Sequence, residues 1–371
     1  MLQALSDDLL SGEPFDPLQI DAAQPWQGPR PAVLQSVSSD PWRHHGDTRE
    51  RLELLAQQLL ESDGAPAVPW PRTRAVLERV QGTLALALDA CGGQEMEQLS
   101  RGLRGLFVPP GPSGSPSRGR PDVLPTGRNF YTLDTRAIPT RTAWELGQQS
   151  AQRIVERYLQ EHGEYPRTLG LSVWGTATMR TGGDDIAQAF ALIGVRPRWA
   201  PGSQRVVDFE AVPRVGMGRP RIDVTLRISG FFRDAFPGTV QMFDAAVQAV
   251  AELEAEDAEE NPIRARILEE CAALQEQGVE AMAARRQAGW RVFGAPPGHY
   301  GSGLNGLFQS GDWQDDGDLA RAYVGWSAHA YGQEASGEPA GEALARRLQG
   351  LDVVAQNQDS REHDLLDSSD Y

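Results

Sequence analysis

The chain has 371 residues, 40% of them hydrophobic, and carries 51 acidic against 35 basic side chains, a formal net charge of −16. That apolar content supports packed cores in two or three units and excludes wholesale disorder, while the acidic excess argues against nucleic acid or an anionic membrane surface as partner. All 35 basic residues are arginine, which removes the lysine of a phosphate-binding P-loop and any Schiff-base lysine, so ATP, if needed, is hydrolysed on another chain. No apolar run approaches the ~20 residues that cross a bilayer. The start, MLQALSDDLLSGEPFDP, lacks the basic and apolar regions of a signal peptide. Cys91 and Cys271 stand far apart, so neither a disulfide framework nor a thiolate metal site is expected, and a cytoplasmic location is.

In chain order, residues 11–47 are rich in Pro, Asp and Ser and read as an extended wrapping segment. Asp47–Glu61 follows as an amphipathic helix with Leu52, Leu54, Leu55, Leu59 and Leu60 on its stripe, then helices over Arg74–Ala90 and Glu95–Leu106. These make a helical N-terminal unit over 1–107. Residues 108–138 are a Pro/Gly-rich loop, too dense in breakers for a helix or a central strand. From Pro139 the pattern alternates: a long helix over Thr140–Glu161, a buried strand over 168–175, a helix over Asp184–Ile193 and short strands over Arg196–Trp199 and Arg205–Ala211. A strand over 221–229 and helices over Ser229–Phe236 and Thr239–Glu254 complete it. Strands and helices alternating at this spacing predict a parallel, Rossmann-like α/β core over 139–260. The run EAEDAEE (254–260) reads as a solvated loop. Residues 261–371 read as mostly helical: Pro262–Arg286, Leu304–Ser310, Asp318–Tyr331 and Glu342–Gln349, with a Gly-rich loop, FGAPPGHYGSGLNGLF, and an acidic, His-containing tail.

In open α/β sheets, ligands sit beyond the carboxyl ends of the strands. VWGTATMRTGGDDIAQ (173–188) lies at such a point, where Thr181, Gly182 and Gly183 would offer backbone N–H groups and Arg180 a guanidinium fork to a carboxylate. Asp184 and Asp185 equally suit an ordinary helix cap. GRPRIDVTLRISGFFRDAF (218–236) repeats the strand-to-helix arrangement, with Arg221, Asp223, Thr225 and Arg227 on one face of its strand. Such a face is unusual in a parallel sheet, and internal salt bridging accounts for it as well as ligand binding does. No two of the six histidines have HExxH spacing. The tail REHDLLDSSDY concentrates ligand types: if helical, His363, Asp367 and Asp370 share a face and could hold a divalent transition metal, although a solvated terminus fits the same composition.

Taken in order, PTGRNFYTLD, SVWGTATMRTGGDDIAQ, GRPRIDVTLRISGFFRDAF, FGAPPGHYGSGL and NQDSREHDLLDSSDY resemble the cobaltochelatase large subunit and the homologous magnesium chelatase H subunit, and RNFY and MRTGGDD look closer to the cobalt branch. The resemblance covers essentially the whole chain, but members of the family are much longer. The chain therefore reads as an internal piece, expected to be inactive alone. The resemblance implies a ligase forming nitrogen–metal bonds, which inserts cobalt (magnesium in the alternative branch) into a tetrapyrrole. The cobalt substrate would be hydrogenobyrinic acid a,c-diamide, in cobalamin biosynthesis. ATP and its Mg would reside on an AAA+ ATPase subunit and an accessory chelatase subunit. Placed on the matching blocks, Arg128, Asn129, Arg180, Thr181, Gly182, Gly183, Arg219 and Arg233 are the expected substrate-binding residues. His363, Glu362 and Asp364 are the expected proton- or metal-transfer groups, with His363, Asp367 and Asp370 as metal ligands. A non-catalytic α/β docking module is the alternative from another class.

Overall fold

The computed structural model describes residues 1–10, 15–17, 20–62, 69–112, 114, 116, 121–131 and 133–359. It divides the chain into two compact units, one of Met1–Pro109 with Leu124–Asn129, the other of Pro110–Val123 with Phe130–Tyr371.

The first unit is helical: α1 (Leu2–Leu9), α2 (Ala32–Ser36), α3 (His45–Glu61), α4 (Pro71–Arg79) and α5 (Leu86–Leu103). Its core joins Leu5, Leu34, Leu52, Leu55 and Leu77 to Phe15, Trp26 and Trp42. The expected wrapping segment is tied down by buried Arg51, which donates to the carbonyls of Leu34 (3.0 Å), Ser38 (2.9 Å) and Asp40 and stacks on Trp42 at 4.9 Å. Asp8 receives the Thr73 amide and hydroxyl at 2.7 and 2.9 Å, which pins the start of α4 to the end of α1. One expectation is corrected here. The separate helices over Arg74–Ala90 and Glu95–Leu106 are one continuous helical stretch, α4 running through a π-helical segment, Val80–Ala85, into α5. Gly92 and Gly93 do not break it, because an isolated glycine in a helix costs only about 1 kcal/mol.

The second unit begins with β1 (Pro110–Pro112) and β2 (Asn129–Tyr131, whose first residue belongs to the first unit), and continues α6 (Arg141–His162), β3 (Thr168–Val173), α7 (Gly175–Thr181) and α8 (Asp184–Ile193). Then come β4 (Val195–Trp199), β5 (Val206–Ala211), α9 (Arg214–Met217), β6 (Asp223–Ile228), α10 (Gly230–Ala235) and α11 (Pro237–Ala251). The remainder is α12 (Pro262–Glu276), α13 (Ala281–Gly289), β7 (Val292–Gly294), α14 (Asn305–Ser310), α15 (Asp316–Trp326), β8 (His329–Tyr331), β9 (Ser336–Pro339), α16 (Gly341–Gln349) and β10 (Val353–Ala355). Its centre is a six-stranded sheet in the order β10-β3-β6-β7-β8-β9. The first four strands are parallel and the last two antiparallel. β3 and β6 are central and buried nearly throughout; β3 is accordingly a largely apolar run, TLGLSV, whereas β6, DVTLRI, carries charge into the sheet. α8 packs against β3 and β6, and α6 packs along α8.

The α/β class is as expected; several elements differ. β4 and β5 pair with each other as an antiparallel hairpin outside the main sheet. Pro262–Arg286 is two helices, interrupted where Gly278 takes a left-handed φ of +87°. The helix expected over Asp318–Tyr331 ends at Trp326, and His329–Tyr331 is a strand. The C-terminal region remains mostly helical but also supplies four of the six strands, β7 to β10. Each is only three or four residues long, too short to show a period of two.

The Arg/Asp face of β6 resolves into two separate functions. At its amino end Asp223, 1% exposed, receives Arg291 Nε at 2.5 Å, with Arg347 at 3.4 Å and Arg266 at 3.8 Å. Burial would raise the Asp223 carboxyl, but Arg291 and Arg347 overcome it and hold the group below the ordinary range. Arg347, also paired with Glu270 at 3.1 Å, is lowered to about 9 by burial and then by the charge of Arg291. Just upstream, buried Arg221 grips Glu256 with two bonds of 2.7 and 2.8 Å. The acidic run 254–260 is therefore largely exposed, as expected, but Glu256 within it is a structural counter-ion.

Candidate functional site at the carboxyl edge of the sheet

β3, β6 and β7 all end at one edge, and their following loops converge there. Ser229, the first residue after β6, donates its amide to Val173 O at 3.0 Å, and its hydroxyl accepts from Phe232 N and Gly175 N at 3.1 and 3.2 Å. One serine thus caps α10 and ties it to the start of α7. Gly230 is required by crowding: a Cβ there would lie 2.2 Å from His299 O.

Arg227, at the carboxyl end of β6, is 7% exposed and lies over the rings of Trp174 (5.2 Å) and Tyr323 (5.7 Å). Its Nη2 donates to Ser302 O at 3.1 Å and its Nε to Ser327 Oγ at 3.4 Å. Among the described residues no carboxylate lies within ion-pair distance of it. Burial lowers its pKa from the usual guanidinium value. A sheltered guanidinium with neutral partners remains an attractor for an incoming anion.

Around it stand groups with open valences. The Trp174 indole N–H and His329 Nδ1 are buried without partners among the described residues. Burial, and then the charge of His299, push His329 below the ordinary imidazole range, so it is neutral near pH 7 and able to accept a proton. Exposed His299 meets Trp326 edge-on, with centroids 5.7 Å apart, and Trp326 Nε1 donates to Gly301 O at 3.2 Å.

Arg233 organises the rim of this mouth. It grips Asp234 side-on (2.6 and 2.8 Å), donates to the carbonyls of Ala295 (3.0 Å) and Pro296 (2.7 Å), and faces the rings of Tyr300 and Tyr331. Tyr300 Oη donates to Asp234 at 2.8 Å. These bonds, from Arg233 first, hold Asp234 below the ordinary carboxyl range.

The other residues singled out from the sequence are dispersed. Gly182 and Gly183 both have left-handed φ (+77° and +96°), and Cβ atoms on them would meet Thr140 and Ile138, so the turn is packed against its own chain. The amides of Gly183 and Asp184 already have Thr181 Oγ1 as an acceptor at 3.2 Å. The turn is accordingly a cap, and the expected open anion cradle at Thr181–Gly183 is not formed. Arg219 is likewise turned inward, donating to the carbonyls of Ala191 and Leu192 at 2.6 and 3.1 Å, where it closes the end of α8. Burial, then the charge of Arg221, lowers it to about 10. Arg180 is exposed and pairs with Asp359 at 2.6 Å. Arg128 and Asn129 are exposed in the first unit.

His363, Glu362, Asp364, Asp367 and Asp370 lie outside the described residues. The approach to them is described. After β10, Asn357 donates to Asp185 and Gln188, both at 2.6 Å, and Asp359 takes Arg180, so the chain is moored on α7 and α8 just before Ser360. Among the described residues no three His, Cys, Asp or Glu side chains cluster as a metal site, and no helix is long and apolar enough to cross a membrane.

In the sequence Arg227 stands only as a charge on a buried strand, with nothing local to mark its setting. Tyr323, Trp326 and His329 carried no local signal, because their segment reads as one helix.

The fold defines an α/β protein in which Arg227, without an ion-pair partner among the described residues, gathers with aromatic rings and two imidazoles at the carboxyl edge of a parallel sheet. The chain belongs to the CobN/magnesium chelatase family, whose model matches residues 8–371. It is 56% identical to the aerobic cobaltochelatase subunit CobN of Pseudomonas aeruginosa over all of its length and 30% of that protein's. It is 38% identical to the chloroplastic magnesium-chelatase subunit ChlH of Oryza sativa subsp. japonica, over 75% of this chain and 20% of that one. The solved catalytic subunit of cobaltochelatase from Mycobacterium tuberculosis matches with a TM-score of 0.70 and 44% identity, covering 92% of this chain and 29% of that one. The chain thus spans under a third of the length of these relatives.

Proposed function

We propose that the chain is a piece of the metal-inserting subunit of an ATP-dependent cobaltochelatase, which inserts cobalt into hydrogenobyrinic acid a,c-diamide in cobalamin biosynthesis. The observation that carries the reading is the gap in similarity: 56% identity to a cobalt-branch subunit along the full chain against 38% to a magnesium-branch subunit along three quarters of it. The mouth suits the chemistry. A tetrapyrrole has a broad apolar face, carboxylates on its rim and pyrrole N–H protons that must leave as the metal enters. Trp174, Tyr323 and Trp326 offer faces for the ring; Arg227, with Arg180 as an exposed contact, offers forks for the carboxylates; neutral His329 offers a proton acceptor.

In this reading Arg233 positions the mouth and Arg219 closes the end of α8, neither clamping substrate, and Thr181, Gly182 and Gly183 shape the rim. His363, Glu362 and Asp364 escort the metal or its displaced protons, with Asp367 and Asp370 as further oxygen ligands. The mooring of Asn357 and Asp359 on α8 and α7, just after β10, supports this. The all-arginine chain leaves ATP hydrolysis, with its Mg, to AAA+ partner subunits. The test is a titration with hydrogenobyrinic acid a,c-diamide and, separately, protoporphyrin, followed by tetrapyrrole absorbance and tryptophan quenching. Saturable binding of the corrinoid alone is expected; binding of protoporphyrin alone would transfer the reading to the magnesium branch.

A further inference from the structure

A second concavity lies at the opposite, amino edge of β7, away from the mouth. It has a volume of about 410 Å³ and is lined by α11, α13, the residues entering β7 and the β8–β9 turn. That volume falls in the range of small-molecule sites. Its walls are electrically divided. On one side, Asp244 is 8% exposed and takes the Gln333 amide at 2.8 Å, and Glu334 stands beside it. On the other are Arg285, Arg286 and Trp290. Arg285 Nη2 pairs with Glu252 at 2.5 Å, but its Nη1 is buried without a partner among the described residues. The indole N–H of Trp290, a residue only 7% exposed, is also unpartnered.

Arg285 and Trp290, each with a buried donor that lacks an acceptor among the described residues, line the same cavity as a buried carboxylate, and such donors are costly unless something completes them. A simple dianion would meet Asp244 and Glu334, and a simple cation would meet Arg285 and Arg286. A molecule with separated charges satisfies both walls and adds no net charge. We infer that this cavity binds a free α-amino acid, its carboxylate on Arg285 Nη1 and Trp290 Nε1 and its ammonium on Asp244. Burial, with a smaller contribution from Glu334, keeps the Asp244 carboxyl above the ordinary range, and an ammonium in contact would bring it back down. The site uses no residue of the mouth and stands whether or not the chelatase reading does.

The test is thermal-shift and calorimetric titration of the full chain with each proteinogenic L-amino acid, then with the N-acetyl derivative and the methyl ester of any that binds. Saturable binding of at least one free amino acid is expected, lost in both derivatives and weakened about tenfold or more, on the order of one charged hydrogen bond, by Trp290→Phe and by Asp244→Asn. Both variants keep shape, and circular dichroism checks that they fold. No binding by any amino acid, equal binding of the N-acetyl derivative, or undiminished binding by folded Trp290→Phe and Asp244→Asn would each overturn the assignment.

Discussion

Replacing Asp223 by Asn tests the central ion network. The substitution keeps shape and removes one negative charge from a place where Asp223, Arg291 and Arg347 are each no more than 1% exposed. What remains is two fully buried guanidinium groups, with Glu270 alone facing Arg347. Breaking a buried pair by removing one partner costs about 3–5 kcal/mol, because the surviving charge stays desolvated. In a unit of this size, 1 kcal/mol moves the melting temperature by about 2–4 °C, so a drop on the order of ten degrees is expected. The sign with pH follows from the depressed carboxyl of Asp223: its stabilisation is complete above the ordinary carboxylate pKa and is lost as pH falls through the lower, folded-state value. The variant should therefore have a flatter acid limb than the parent. Urea unfolding across pH, followed by circular dichroism, measures both. A change below about 1 kcal/mol, the worth of an exposed pair, with an unaltered acid limb would refute the reasoning.

Arg227→Met keeps the stem between Trp174 and Tyr323 and removes the charge; corrinoid affinity should fall on the order of tenfold or more, as for loss of a charged hydrogen bond, while an unchanged affinity in the same titration would remove Arg227 from the rim. Arg219→Met should lower the melting temperature, since it uncaps the carbonyls of Ala191 and Leu192, yet leave corrinoid affinity intact. The His329 imidazole, followed by NMR, should titrate below the ordinary range. Being depressed, it contributes stability that is present above the unfolded histidine pKa and lost as pH falls through the folded value; a midpoint at or above the free-imidazole value would contradict its burial. Arg51→Met should destabilise the first unit by about 1–3 kcal/mol, the cost of leaving buried carbonyls such as Leu34 O unpaired, with unfolding at the parent midpoint as the contrary result.

Much of the second unit was legible because its signals are local. Although α7, which opens at Gly175, was not expected, a run such as TLGLSVWG, closing on that glycine, specifies a buried strand from a few neighbouring side chains, and the helix over Asp184–Ile193 is equally local. The same holds for the long helix opened by Thr140, whose hydroxyl accepts from Ala143 N at 3.1 Å. The charge balance, the absence of lysine and the family blocks were likewise present in the one-dimensional text.

What tertiary structure alone decided is which polar residues spend their hydrogen bonds on the fold. Arg219, Arg227 and Arg233 are similar in sequence, each a guanidinium near β6. Arg219 spends its bonds on the open carbonyls of α8 and Arg233 meets Asp234, whereas Arg227 arrives between aromatic rings at the carboxyl edge. The strands of three or four residues, β7 to β10, exist because neighbours already in the sheet offer them unpaired backbone groups, which no local pattern encodes. The mouth is built on those pairings: His329 reaches it because β8 aligns Gly294 with His329 across from β7. Local sequence determines which segments can be helix or strand, since that depends on near neighbours; it cannot state which distant charges will meet, since that depends on the packing of the whole unit.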